Sequence, residues 1–239
     1  MASPRSLLIS GASRGIGRAI AEKLLTEGHR LSLGVRDPSV LSKGSLGEAA
    51  RHQPGRVLLH PYDARDPDQA AAWVHATLRH FGAIDGLIHS AGIFSRVGLL
   101  FADGEEKEIE ELWRVNLMGP WWLSRAAWPA LAASGDGRVI TLVSMSGQRV
   151  KGSLAAYPAS KFALMALCQT MRNEGWEAGI RVTALCPGWV NTTMAAAVTA
   201  VPPKAMTQPE DLAAITAQLL TLPASAVPFE LKINCLLET

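Results

Sequence analysis

The stretch Tyr-Pro-Ala-Ser-Lys at residues 157–161 sets a tyrosine and a lysine four apart. On a helix that spacing puts both side chains on one face, a turn from each other. A free tyrosine titrates near pH ~10, so it exchanges protons poorly at neutrality unless its anion is stabilised. The Lys161 ammonium is a positive charge within reach of Tyr157 and favours the phenolate. A shift of about three units is roughly 4 kcal/mol, which a partly desolvated cleft sustains, and it makes Tyr157 a general acid or base near neutral pH. The same pair also reads as a plain helix start with two polar side chains. Two other residues bear on the choice. Ser144 closes the run Val-Ile-Thr-Leu-Val-Ser, thirteen residues before the tyrosine. Its hydroxyl there can hold a carbonyl oxygen beside the phenol, although a strand-end cap is the plainer role and Ser146 competes for it. Asn116 lies inside the helical stretch Trp-Arg-Val-Asn-Leu-Met-Gly-Pro, where asparagine has no propensity advantage. An amide in that place can hold a water or a backbone carbonyl.

A second constellation lies near the start of the chain. Residues 10–17 read Ser-Gly-Ala-Ser-Arg-Gly-Ile-Gly, with Gly11, Gly15 and Gly17 in a G-x3-G-x-G spacing. A tight strand-to-helix turn explains this spacing. So does a phosphate cradle, in which glycines let a pyrophosphate approach the backbone and the next helix offers its free N–H groups. The turn follows the first strand of an alternating βα pattern, which favours a dinucleotide. The contact set is then Gly11, Ser13, Arg14, Gly15, Ile16 and Gly17. No Lys-Ser/Thr follows the glycines, so a nucleoside-triphosphate loop is excluded. The second strand ends Gly-Val-Arg-Asp at 34–37, without an acid beside the turn to hold a ribose 2′-hydroxyl. Arg36 and Arg14 instead converge as two guanidinium groups suited to a 2′-phosphate. One charge-assisted bond of about 1.5–3 kcal/mol gives roughly tenfold preference or more. The implied cofactor is NADP(H), whose oxidised nicotinamide adds positive charge beside Tyr157. Asp37 complicates the assignment, since it can pair with Arg36 or reach the ribose, and both arginines also read as solvated surface groups.

These residues need a frame. Apolar runs at 6–10, 30–35, 56–63, 84–92, 137–144, 180–188 and 229–236 read as strands. Amphipathic stretches at 17–28, 66–82, 105–133, 160–179 and 209–220 read as helices, with Pro120 and Pro129 as kinks or breaks in the long one. Such alternation predicts an α/β fold with a doubly wound parallel sheet, Rossmann-like, in three α/β/α layers. The 239 residues, 48% hydrophobic and 18% charged, predict one domain over 1–239. A formal charge of +2 gives no reason to expect a nucleic-acid or membrane partner. Cys168, Cys186 and Cys235 are scattered, and the histidines lack ligand spacing, so no metal is expected and a reducing compartment is. The first ten residues carry too short an apolar run for a signal peptide, and the cytoplasm is the expected location. The segments 93–104 and 195–208 read as an apolar substrate wall, the latter as a mobile loop, which disfavours a highly charged substrate. Trp121, Trp122 and Trp128 fit either a subunit interface or ordinary core.

Taken together, the motifs resemble the short-chain dehydrogenases/reductases over essentially the whole chain. The family's T-G-x3-G-x-G appears as Ser10 to Gly17, with serine for threonine. Its Asn, Ser, Tyr and Lys fall at Asn116, Ser144, Tyr157 and Lys161. Tyr-Asp-Ala-Arg-Asp resembles the acidic turn that touches adenine, with Asp63 and Ala64. His-Ser-Ala-Gly stands where the family has N-N-A-G, placing Ser90, Ala91 and Gly92 against the cofactor. Pro187, Gly188, Val190 and Thr192 match its P-G-x-V-x-T segment, which lies against the nicotinamide. The resemblance implies hydride transfer between NADP(H) and a small carbonyl or alcohol substrate. It gives Tyr157 as acid/base, Lys161 on the nicotinamide ribose, Ser144 orienting substrate, and Asn116 holding a water that links Lys161 to solvent. It also implies a homodimer or homotetramer. A 3-oxoacyl-type ketoreductase and a reductase of small ketones, aldehydes or sugars both fit. The alternative is a non-catalytic NADP(H) sensor or scaffold on the same fold. The C-terminal residues lack the family's usual D-G-G.

Overall fold

The computed structural model describes residues 4–233. Strands β1 (Ser6–Ser10), β2 (Arg30–Val35), β3 (Val57–Pro61), β4 (Gly86–His89), β5 (Arg138–Leu142), β6 (Arg181–Pro187) and β7 (Glu230–Ile233) form one sheet. All pairings are parallel, in the order β3-β2-β1-β4-β5-β6-β7. Helices α1 (Gly15–Thr26), α2 (Ser45–His52), α3 (Pro67–Phe81), α4 (Glu106–Trp113), α5 (Gly119–Ala133), α6 (Ala156–Gly175), α7 (Thr193–Ala196) and α8 (Pro209–Thr221) connect the strands. The doubly wound α/β/α architecture expected from the alternation is therefore the one observed.

Apolar residues on both faces of each strand drive this layering. Leu8 of β1 packs with Trp73 of α3, Leu123 of α5 and Leu164 of α6. Its neighbours Leu7 and Ile9 point the other way, into a core shared with Ile20 of α1 and Leu212 of α8. The order reverses between β1 and β4, the switch point where such sheets open a crevice at their carboxyl ends. Register places Ser10 opposite Gly34 on one side and His89 on the other, so three strand ends meet there.

Several elements differ from expectation. The stretch 105–133 is α4 and α5 joined by a π-helical turn, Arg114–Met118. Pro120 does not break it: the wider turn directly precedes the proline, which has no N–H to donate back. Helix α6 starts at Ala156, not 160, so Tyr157 lies in its first turn. Helix α2 is short, 8 residues, and no element is expected there from sequence. The segment 195–208 is not a plain loop. It holds the end of α7 and a 3-10 turn, Pro203–Ala205, and Thr207 is bridged to Val190. Positions 234–236 of the last expected strand, and Cys235, lie outside the described residues. Among the described residues no helix is long and apolar enough to cross a membrane.

Candidate active site

The glycine turn is built by contacts that leave no room for side chains. Gly11 has φ +73°, and a Cβ there would lie 2.7 Å from the Ala91 nitrogen. Gly17, in the first turn of α1, packs against the glycine turn, where a Cβ would strike the Gly11 carbonyl oxygen and come within 2.8 Å of Ser90 Oγ. Ser10 Oγ accepts hydrogen bonds from the Ser90 and Ala91 amides at 3.2 and 3.3 Å, so one hydroxyl ties the end of β1 to the turn after β4. Gly17→Ala is expected to force the turn and helix apart. Overpacking of this kind costs about 1–3 kcal/mol, read as a lower thermal midpoint together with weaker dinucleotide binding in a fluorescence titration. Unchanged values for both would show that the turn is slack.

Ser90 and Ala91 follow His89, which stands where the family pattern has asparagine. His89 is buried and its Nε2 lies 2.8 Å from Ser124 Oγ of α5. Burial pushes its pKa down to about 3, so the ring is neutral. The support for this strand end thus comes from an imidazole–hydroxyl contact and from Ser10.

Beyond β5 the backbone enters an unusual conformation. Ser144 has φ +151° and is the one non-glycine residue with positive φ among the described residues. A conformation of this kind costs about 1–3 kcal/mol and points to a site where geometry is imposed. Ser144 Oγ accepts from the Ser146 amide at 3.0 Å, which caps a 3-10 turn over Met145–Gly147. The same side chain lies near enough to the Tyr157 phenol to favour its anion. Cap and substrate-facing hydroxyl are therefore one group, and Ser146 contributes its amide to holding it. Phe94 packs on the other side of Tyr157, with ring centroids 4.8 Å apart.

Lys161 is buried, and its Nζ donates to the Leu142 carbonyl at 3.0 Å. It lies 5.9 Å from the centre of the Tyr157 ring. Burial lowers its pKa to about 8, leaving the ammonium mostly charged at neutrality. The expected lowering of the phenol by Lys161 is not what dominates here. Burial pushes Tyr157 above the usual tyrosine value, and the neighbouring Ser144 side chain opposes the shift. The lysine is aimed at a strand-end carbonyl instead of the hydroxyl, so the phenol keeps its proton at neutral pH.

Asn116 sits in the π-helical turn, fully buried. Its Oδ1 accepts from the Ile93 amide at 2.9 Å, and its Nδ2 donates to the Ile93 carbonyl at 3.0 Å and to Ser160 Oγ at 3.1 Å. The backbone carbonyl that sequence offers as a partner is that of Ile93. Through Ser160, which donates to the Tyr157 carbonyl at 2.8 Å, it also touches the start of α6.

At the other end, Arg14 precedes α1 and Arg36 follows β2, both exposed. Asp37 makes a local contact. It accepts from the Ser39 amide at 2.9 Å and caps the turn Pro38–Leu41. Asp63 is held below the usual carboxylate range by hydrogen bonds from Arg65, whose Nε lies 2.9 Å from Oδ1. Arg65, which the sequence reading does not single out, also reaches Glu111 at 3.5 Å. Thr192 faces Gly15 across the gap and caps α7, accepting from the Ala195 amide at 3.3 Å.

These groups meet in one cleft of about 410 Å³. Gly11, Ser13, Arg14, Gly15, Ile16, Gly17, Arg36, Asp63, Ala64, Ser90, Ala91 and Gly92 line it, as do Ser144, Tyr157, Lys161, Pro187, Gly188, Val190 and Thr192. Asn116 lies behind the wall. Arg65, Phe94, Met145, Arg149, Lys151 and Met194 also line the cleft. The basic pair at 149 and 151 escapes the sequence reading because it belongs to no motif.

The family model described as short chain dehydrogenase matches residues 5–202. Agropine synthesis reductase of Rhizobium rhizogenes is 38% identical over 235 residues, covering 98% of this chain and 53% of that protein. The chain thus spans about half the length of the curated relative. Among solved structures, an alcohol dehydrogenase from Thermococcus sibiricus complexed with 5-hydroxy-NADP superposes with a TM-score of 0.86 at 29% identity, covering 99% of each chain. A betaketoacyl-ACP reductase from Bacteroides thetaiotaomicron gives 0.81 at 28% identity, covering 98% of each.

Proposed function

The chain belongs to the short-chain dehydrogenase family, and from that premise we propose that it is an NADP(H)-dependent reductase of small carbonyl compounds. One observation carries the reading. A strained serine hydroxyl, a protonated phenol and a buried ammonium share a cleft with a glycine turn flanked by two arginines. The solved relative complexed with an NADP derivative supports the cofactor.

When bound, NADP(H) supplies or accepts the hydride. The chain's residues do the rest. Gly11 to Gly17 and the N-terminus of α1 receive the pyrophosphate, Arg14 and Arg36 the 2′-phosphate, and Lys161 the nicotinamide ribose. Asp63 and Ala64 would meet the adenine, and Ser90, Ala91, Gly92, Pro187, Gly188, Val190 and Thr192 would wall the rest of the cofactor; all of them line the cleft. In the reductive direction Ser144 holds the carbonyl oxygen. As the carbon gains the hydride, Tyr157 gives its proton to that oxygen, and the product is an alcohol. The phenolate left behind lies on the same helix face as the Lys161 ammonium, which offsets its charge. Asn116 positions this pair by fixing the start of α6 and the Ile93 backbone.

Residues 1–239 act as one domain in this reading, in the cytoplasm, as a homodimer or homotetramer. Exposed Trp113, Trp121 and Phe162, on α4, α5 and α6, support self-association. Trp122 and Trp128 pack on the core and contribute less.

A non-catalytic sensor of NADP(H) needs the turn and the arginines. It has no use for a serine held at φ +151° against a tyrosine hydroxyl. The deciding experiment is an NADPH-oxidation screen over ketones, aldehydes, 3-oxoacyl thioesters and keto-sugars. Turnover of at least one class is expected. NADPH binding with no turnover in any class favours the sensor.

A further inference from the structure

We propose that the substrate carries an aryl ring on its carbonyl carbon, and that Phe94 is the platform on which this ring stacks while the carbonyl oxygen sits at Ser144 and Tyr157. This rests on the reductase reading above and names the substrate class for the same cleft.

Phe94 lies in the connection from β4 to α4. Its ring packs on the Tyr157 ring with 4.8 Å between centroids and 55° between planes, a tilted arrangement of the kind aromatic pairs favour. Phe94 is only half-buried and lines the cleft, so part of its ring stays open to a ligand. The hydroxyl that gives up the proton belongs to the same Tyr157 ring. A group bonded to the reacting carbonyl carbon therefore falls within reach of Phe94.

The platform is held from both sides. Ile93, directly before it, has its amide and its carbonyl clamped by the Asn116 side chain at 2.9 and 3.0 Å. Ser95, directly after it, is buried; its Oγ donates to Glu108 of α4 at 2.6 Å and accepts from the Val97 amide at 3.1 Å. The Val97 carbonyl in turn accepts from the Ala155 and Ala156 amides, both at 3.1 Å, which ties the segment to the start of α6. Beneath it, Val97, Leu112 and Ala156 form a small core cluster against which Ile93 and Tyr157 pack. A ring whose neighbours are pinned in this way is placed before the ligand arrives, and such preorganisation favours a partner that matches its flat face.

The rest of this half of the cleft fits an aryl group. Met145, Leu154, Met194 and Val198 line it. The two thioethers adapt to a ring edge and make favourable sulfur–aromatic contacts. Among the described residues the acids lining the cleft are Asp63 and Glu111, and both face Arg65. Lys151 is exposed to solvent on the rim. The apolar wall expected over 93–104 and 195–208 is therefore represented at the reacting groups by Phe94 and Val198, while Leu99 and Leu100 are exposed outside the cleft.

The test sets a flat ring against a saturated one of similar size, acetophenone against cyclohexyl methyl ketone. The saturated ring has more apolar surface to bury, so a cleft that is merely apolar prefers it. Calorimetry with the protein saturated with oxidised NADP, which reduces neither ketone, measures binding apart from reactivity. Acetophenone is expected to bind about twofold to tenfold more tightly, the effect of one aromatic contact. The preference is expected to disappear in Phe94→Leu and to persist in Phe94→Tyr. In NADPH oxidation the acetophenone-to-cyclohexyl ratio of kcat/KM is expected to fall by the same factor in Phe94→Leu, chiefly through KM. Fluorescence titration with NADPH identifies the variants that keep the cleft. Equal or tighter binding of the cyclohexyl ketone to the wild type overturns the proposal, as does a preference unchanged in a folded Phe94→Leu variant. The wild-type comparison needs no variant, so it decides even where Phe94→Leu does not fold. If no carbonyl is reduced at all, the reductase reading fails separately, and the calorimetric comparison still decides the platform.

Discussion

Tyr157→Phe is expected to lower carbonyl reduction by about a thousandfold while NADPH binding stays within about twofold. A positioned general acid contributes typically 10²–10⁴-fold, and among the described residues the cleft offers no second hydroxyl with the same neighbours. The substitution removes the proton and leaves the packing. The ring that stacks on Phe94 at 4.8 Å remains, and Ser144 keeps its anchor on the Ser146 amide at 3.0 Å. Lys161 also keeps its bond to the Leu142 carbonyl, so the ribose-facing side of the site is undisturbed. Single-turnover NADPH oxidation and a fluorescence titration measure the two quantities separately. Turnover near the wild-type rate removes Tyr157 from the chemistry. A parallel loss of NADPH affinity shows instead that the phenol serves binding.

The expectation for this variant illustrates what a sequence can disclose. Tyr157 and Lys161 are one helical turn apart, so their shared face follows from spacing alone. Their electrostatics do not, because the direction of the phenol's shift depends on burial by Phe94 and on where Nζ is held, both set by distant strands. The glycine turn is legible because Gly11 and Gly17 occupy places where any Cβ strikes backbone. Its brace is not, since Ser10 reaches amides eighty residues away through the register of β1 on β4. Asn116 stands out as a poor helix former, but its partner, the Ile93 backbone, is visible only once a π-helical turn rotates it inward. Strand pattern gives the fold almost completely because burial on both faces leaves continuous apolar runs. Helix α2 is missed because it spans only 8 residues and Leu46 is its one large buried side chain. Its glycine is explained by packing, with a Cβ only 2.0 Å from the Leu41 carbonyl oxygen.

Replacing Arg14 and Arg36 together by alanine is expected to weaken NADPH about a hundredfold and NADH by no more than about threefold. Strand register brings the two arginines to one corner. Ser10 pairs with Gly34, and the Gly11 amide donates to the Gly34 carbonyl at 3.1 Å. The chain leaves both strands at the same corner, so Arg14 and Arg36 rise on adjacent sides of it. The acid most able to neutralise them by sequence, Asp37, is turned to the Ser39 amide. Asp63 is engaged by Arg65, although Arg36 still lowers its pKa slightly through space. Two charge-assisted bonds amount to about 3–6 kcal/mol at full strength. Both side chains are exposed, so solvent screening brings the expected effect to the low end. Each single variant is expected to lose about tenfold, and raising the salt concentration should shrink the wild-type preference in the same direction. Fluorescence titrations with each dinucleotide give the four affinities. Equal losses for NADPH and NADH mean that the arginines hold the pyrophosphate or the fold, and the 2′-phosphate assignment then falls.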